Sequence, residues 1–258
     1  MLSIVIPTLN EEQYLARCLA SVRPLGMEIV VADGGSADAT AEIARNAGAR
    51  VIEAPRGRGM QLHAGAEASH GETILFLHAD SRLSADAVGV LGRVVADPGF
   101  RIGTFRLRFD SPRPLCRLYA WFSRFDSLWT SFGDQGIVVR RSFYRQLGGF
   151  PAWTVLEDVE LLRRARRLSR IRSLPAEVTT SARRFEMNGM IRQQARNAVI
   201  LLRYLLGTSP GALAALYAPS GPNAAVAGGR ISTTAAHAAG IPIEAEVCAD
   251  TINSNPGG

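Results

Sequence analysis

Through residues 1–100 the chain alternates short apolar runs with segments of helical spacing, and few folds accept that order. Residues 3–6, 28–32, 50–53 and 73–77 are rich in Ile and Val and bounded by Pro, Gly or Asp, as strands are. Residues 12–21, 37–47, 60–68 and 85–96 keep the helical period between them. Strand, helix, strand, helix predicts a parallel, right-handed α/β sheet, because parallel neighbours need a crossover and the helix supplies it. With 258 residues and 47% hydrophobic content, one sizeable core with appendages is the expected size.

In sheets of this kind ligands lie beyond the carboxyl ends of the strands. The residues there are polar. Pro7, Thr8, Asn10 and Glu11 follow the first strand; Asp33, Gly34, Gly35 and Ser36 the second; Arg56, Gly57, Arg58 and Gly59 the third; His78, Ala79 and Asp80 the fourth. Asp33 with its glycines would bring backbone and carboxylate close to a base or ribose, and the same residues also make an ordinary turn and helix cap. Arg56, Arg58 and Gln61 form a cationic segment suited to a diphosphate or nucleoside, or a plain surface loop. If the fourth strand runs on, His78 and Asp80 point to one side. A carboxylate such as Asp80, aided by phosphates and water, suits Mg²⁺ or Mn²⁺, with helix capping as its alternative and packing as that of His78.

Downstream, residues 105–109 and 136–140 read as two more strands, one of them antiparallel. Residues 112–132 between them are aromatic and Arg-bearing, with Trp121, Phe122, Phe125, Trp129 and Phe132. Helices are expected over 159–168 and near 190–206. Glu157 and Asp158 open the first, where the helix dipole favours carboxylates, so capping competes with catalysis. Upstream, Gly148-Gly149-Phe150-Pro151 is a turn that could swing the pair over the ligand edge, where a carboxylate can take a proton from an attacking hydroxyl. Beyond Pro219 the composition turns to Ala, Gly, Ser, Thr and Asn, which reads as a tail over 220–258.

All 29 basic residues are Arg, against 23 acidic ones, for a net charge of +6. Nucleic acid, a diphosphate ligand and an anionic membrane surface are all admissible partners, while the missing Lys also fits base composition of the coding DNA. No nucleic-acid module is legible. Cys18, Cys116 and Cys248 lack disulfide or metal spacing, which fits a reducing cytoplasm. The N-terminus reads as a buried strand instead of a signal peptide, and no apolar stretch approaches the ~18 residues that span a bilayer. Trp121, Phe125, Trp129 and helix 191–206 could serve a lipid-linked acceptor or peripheral contact with the inner membrane; core or homodimer packing is the alternative.

Taken together, the stretches IVIPTLNEE, VVADGGSADAT, RGRGMQ, LFLHADSRL, DQGIVVRR, LGGFP and EDVELLRR resemble glycosyltransferase family 2, in that family's order, across about residues 1–219. More narrowly, LFLHADSRL, DQGIVVRR with LGGFP, EDVEL and TTSARRF are similar to the bacterial subgroup named for arsenosugar biosynthesis. The resemblance implies a GT-A fold, a Rossmann-like, mainly parallel sheet flanked by helices, with a nucleotide-binding half over about 1–100 and an acceptor half over about 101–219. It implies that Pro7, Thr8, Glu11 and Asp33 hold the nucleoside, with Arg58, Gln61, His78 and Ala79 close to the nucleotide and Asp80 coordinating the metal on the diphosphate. Asp158 is the implied base. Asp134, Gln135 and Gly136 beside Gly133, with Trp129 and Glu157, would shape the acceptor side, and Arg183 or Arg184 would close over the diphosphate. The implied activity is inverting transfer from a nucleoside-diphosphate sugar, uridine first and guanosine or thymidine open, to a small-molecule or lipid-linked acceptor. A non-catalytic nucleotide-sugar-binding protein is the alternative. Two departures stand out: His78-Ala79-Asp80 replaces the Asp-x-Asp of many relatives, and His63 stands where Asn is expected.

Overall fold

Strand β1 (Leu2–Thr8) is buried along its whole length, as a strand covered on both faces must be. The computed structural model describes residues 1–125, 133–183 and 189–217. After β1 come α1 (Glu12–Val22), β2 (Glu28–Asp33), α2 (Thr40–Asn46), β3 (Arg50–Glu53), α3 (Arg58–Ala68) and β4 (Thr73–Phe76). Each strand and helix expected in this half is present, with ends moved by a few residues. The second half runs β5 (Ser81–Leu83), α4 (Ala87–Ala96), β6 (Ile102–Phe109), α5 (Pro114–Phe122), β7 (Ile137–Arg140), α6 (Arg141–Gln146), α7 (Glu157–Leu168), β8 (Arg172–Thr180), α8 (Met190–Leu205) and α9 (Pro210–Tyr217).

The eight strands form one sheet in the order β3-β2-β1-β4-β7-β6-β8-β5. β3, β2, β1 and β4 are parallel, with Ile4 beside Ile29 and Leu75. The other half departs from a parallel sheet. β7 runs antiparallel to both β4 and β6, β5 runs antiparallel to β8, and β6 pairs with β8 in parallel across an irregularity between Phe105 and Arg106.

Alternation along β1 divides the core. Leu2, Ile4 and Ile6 pack with Leu15, Leu19 and Leu91 of α1 and α4 on one face, while Val5 joins Leu62, Phe76, Leu161 and Leu162 of α3, β4 and α7 on the other. His63 belongs to this second core: Nδ1 lies 3.0 Å from the Tyr144 hydroxyl, which also accepts the Phe150 N–H at 3.1 Å. The unexpected histidine therefore anchors the turn before α7. Burial pushes its pKa down. Among the described residues no helix is long and apolar enough to cross a membrane. Trp129, Phe132, Arg184, Cys248 and the tail over 220–258 lie outside the described residues.

Candidate functional site

The loops after β1 and β2 are laced to each other. Asn10, in the left-handed region at φ 55°, accepts the Ala37 N–H at 2.8 Å and donates its own N–H to Ser36 Oγ at 2.9 Å. The Glu11 N–H donates to Thr40 Oγ1 at 2.8 Å. Asp33 is the centre of this turn. Its Oδ1 accepts the hydroxyls of Thr8 (2.9 Å) and Ser36 (2.5 Å), and its Oδ2 accepts the N–H groups of Gly35 (3.1 Å) and Ser36 (2.8 Å). Burial acts to raise the Asp33 pKa, but the bonds from Ser36, Thr8 and Gly35 outweigh it and hold the carboxyl below its usual range.

Gln61 reaches under the same loops. Its amide donates to the carbonyls of Thr8 (2.6 Å) and Ala32 (3.1 Å), tying β1 to β2. That use of the amide is structural, and the same side chain lines the cleft where the ligand contact was expected. Arg56 likewise spends its guanidinium on the carbonyls of Gly34 and Gly35.

Beyond the carboxyl ends of β1 and β4 opens a cleft of ≈ 450 Å³. Pro7, Thr8, Glu11, Arg58 and Gln61 line one side, and His78, Ala79 and Asp80 continue it. β4 stops at Phe76, so His78 and Asp80 sit on a turn closed by the Ser81 N–H on the His78 carbonyl at 3.0 Å. The fourth strand therefore does not run on to His78 and Asp80, the condition on which both would point to one side. Arg183 lies between two acids: its guanidinium contacts Glu11 at 2.9 and 3.1 Å, stands 3.8 Å from Asp80 Oδ2, and covers the Tyr14 ring at 4.3 Å.

Asp158 faces the cleft from the first turn of α7 and is buried. Its Oδ2 accepts the Gly133 N–H at 2.6 Å and its Oδ1 the Val159 N–H at 2.8 Å. A Cβ built on Gly133 would meet Asp158 Oδ2 at 2.9 Å and His78 Nε2 at 3.3 Å, so the base candidate and the fourth-strand turn converge there. Glu157 lies beneath, fully buried, in an ion pair with Arg58. Burial raises its pKa, with Arg58 opposing.

The turn at Gly148 and Gly149 has φ values of 79° and 71°, which glycine adopts freely. It returns the chain over α3, where the Gly59 N–H donates to the Trp153 carbonyl at 3.2 Å.

On the expected acceptor side, Asp134 lines the cleft. Gln135 and Gly136 do not: Gln135 is fully buried and donates to the Ser123 carbonyl at 3.4 Å, and Gly136 packs beside Phe105, Val178 and Leu75 of the core. Tyr119, Gln193 and Asn197 also line the cleft and were missed. Gln193 and Asn197 bond to each other at 2.9 Å, one helical turn apart on α8.

Among the described residues no group of three or more His, Cys, Asp or Glu side chains stands ready to hold a metal. Asp80 is the oxygen donor on the cleft wall, partly exposed at 15%, with Arg183 beyond direct hydrogen-bond distance. One hard carboxylate fits a cation that takes most of its ligands from phosphates and water.

A family model described as glycosyl transferase family 2 matches residues 3–143. An uncharacterized glycosyltransferase of Mycobacterium tuberculosis is 38% identical over 109 residues, 41% of this chain and 48% of the relative, so the match spans about half of that protein. Among solved structures, S. aureus TarS 1–349 in complex with UDP-GlcNAc is similar with a TM-score of 0.57 at 19% identity, covering 70% of this chain and 58% of TarS. Glucosyl-3-phosphoglycerate synthase from Mycobacterium tuberculosis, in complex with Mg²⁺ and UDP, gives a TM-score of 0.53 at 20% identity over 78% of this chain and 79% of its own.

Proposed function

The chain belongs to glycosyl transferase family 2 and has the GT-A fold, and on that premise we propose that it transfers a sugar from a nucleoside-diphosphate sugar to an acceptor hydroxyl by one inverting displacement. One observation carries the reading: the carboxylates of Asp158 and Asp80 open onto the same cleft beyond the strand ends. The bonds from Gly133 and Val159 aim Asp158 before substrate arrives, which is the preorganisation a general base needs. Asp158 takes the acceptor proton while the hydroxyl oxygen bonds to the anomeric carbon, and the bond from that carbon to the diphosphate breaks with its electron pair leaving on the diphosphate. In this reading Arg183 and Arg58 face that charge, supported by Arg58 on the cleft wall and by Arg183 3.8 Å from Asp80. A divalent cation, when bound, would be held by Asp80 and would neutralise the diphosphate.

The half over about 1–100 takes the nucleotide in this reading and the half over about 101–219 the acceptor. Uridine is the first choice of base, supported by the UDP and UDP-GlcNAc complexes of the two structural neighbours. A hexosyl donor and an arsenosugar-biosynthesis type of reaction are favoured by the narrower motif resemblance, with the acceptor small or lipid-linked.

Thermal-shift titration with uridine, guanosine and thymidine diphosphates, each with Mn²⁺ or Mg²⁺, tests the donor site. At about 100 times Kd the bound nucleotide adds about 2.7 kcal/mol of stability, so one base should raise the midpoint clearly and chelation should reverse it. No rise with any of them contradicts the reading.

A further inference from the structure

Two helices bordering the cleft turn apolar residues toward solvent. α5 packs Cys116, with Tyr119 and Ala120, against Leu107 and Phe109 of β6. Its Leu115, Leu118, Trp121 and Phe122 face outward, each between 42% and 51% exposed. α8 packs Ile200 against Val155 and Leu213, while Val199, Leu202, Leu205 and the adjoining Leu206 are 41–77% exposed. Positions 115, 118 and 122, like 199, 202 and 206, recur at helical spacing and so form stripes. The two helices border the same cleft, which Tyr119 of α5 and Gln193 and Asn197 of α8 line together.

Arginines surround the stripes. Residues 111–125 and 189–217 contain no Asp or Glu, but hold Arg113, Arg117, Arg124, Arg192, Arg196 and Arg203. Beside α5, Arg82 of β5 and Arg106 and Arg108 of β6 line one groove with Arg117 and Arg124, against Glu177 and Asp110. Exposed apolar stripes rimmed by polar residues mark a contact, and the charge selects its kind. A second copy meeting this face on itself would bring arginines against arginines. A bilayer with anionic headgroups satisfies both parts at once, since its acyl boundary takes Leu, Phe and Trp and its phosphates take Arg.

We propose that α5 and α8 form a docking surface for an anionic lipid bilayer, on which the protein lies without spanning it and with the cleft beside the headgroups. The proposal does not depend on the transfer reaction. Its test is flotation of the full chain, without nucleotide, with vesicles of phosphatidylcholine alone or of phosphatidylcholine with phosphatidylglycerol. Flotation is expected with the anionic vesicles, falling with added salt. Trp121→Glu and Leu202→Glu should each abolish it with the unfolding midpoint and nucleotide binding unchanged, and Arg117→Gln and Arg124→Gln should each weaken it about fivefold. Absence of flotation with either vesicle overturns the proposal, as does wild-type flotation of the two Glu variants. Conversion by those variants of a wild-type dimer to monomer, without vesicle binding, would overturn it in favour of a second copy. Because nucleotide binding is read separately, loss of either result leaves the other interpretable.

Discussion

Asp33 and Glu157 are both buried acids, yet their surroundings push them in opposite directions. Asp33 gathers four hydrogen bonds and stays ionised, whereas Glu157 has Arg58 as its ion-pair partner against complete burial. The sign of the pH dependence follows. A carboxyl whose folded pKa lies above its unfolded value contributes most below the unfolded pKa, near 4.3 for Glu, and that contribution is lost as pH rises through the folded pKa. Arg58→Met removes the charge that opposes the upward shift, so it should cost about 3 kcal/mol well above neutrality and progressively less toward pH ~5. Urea unfolding across that range reads the difference; a cost independent of pH would show that the pair does not govern Glu157. The Asp-Gly-Gly-Ser turn was readable as a turn, and with it the bonds from Gly35 and Ser36, but the bond from Thr8, 25 residues away, was not.

At the scale of elements, the site depends on the return of residues 151–153 over the start of α3. A Cβ at Gly59 would stand 2.2 Å from the Pro151 carbonyl oxygen and 2.8 Å from that of Trp153, both backbone atoms. In a free helix Gly→Ala stabilises by about 1 kcal/mol. Here the crowding should win: Gly59→Ala is expected to destabilise by about 1–3 kcal/mol and to weaken nucleotide binding by displacing Arg58. A thermally more stable variant would contradict the packing described. The Gly148-Gly149 turn was legible because the pair invites positive φ, and it does bring α7 to the cleft. α5 was not assigned to a helix in advance, because its outward face is as apolar as its inward one and the period is blurred.

For the whole molecule, legibility followed burial. β1, β2 and β4 are runs of Ile, Val and Leu because helices cover both faces, and such runs declare themselves. β8 carries Pro175 and alternates exposed with buried positions beside β6, and β5 is three residues long, so neither stood out. The antiparallel insertion of β7 joins segments more than sixty residues apart, as in the pairing of Phe76 with Ile137, and local pattern says nothing of such partners. This mixed half brings Asp134 and, through Gly133, Asp158 to the edge defined by the parallel half.

Release of nucleoside diphosphate from the donor sugar by wild type and Asp158→Asn, beside calorimetric donor binding by both, tests that convergence most directly. The account predicts turnover lower by about 10²–10⁴-fold in the variant with the donor Kd essentially unchanged. Equal turnover in the two proteins would contradict it.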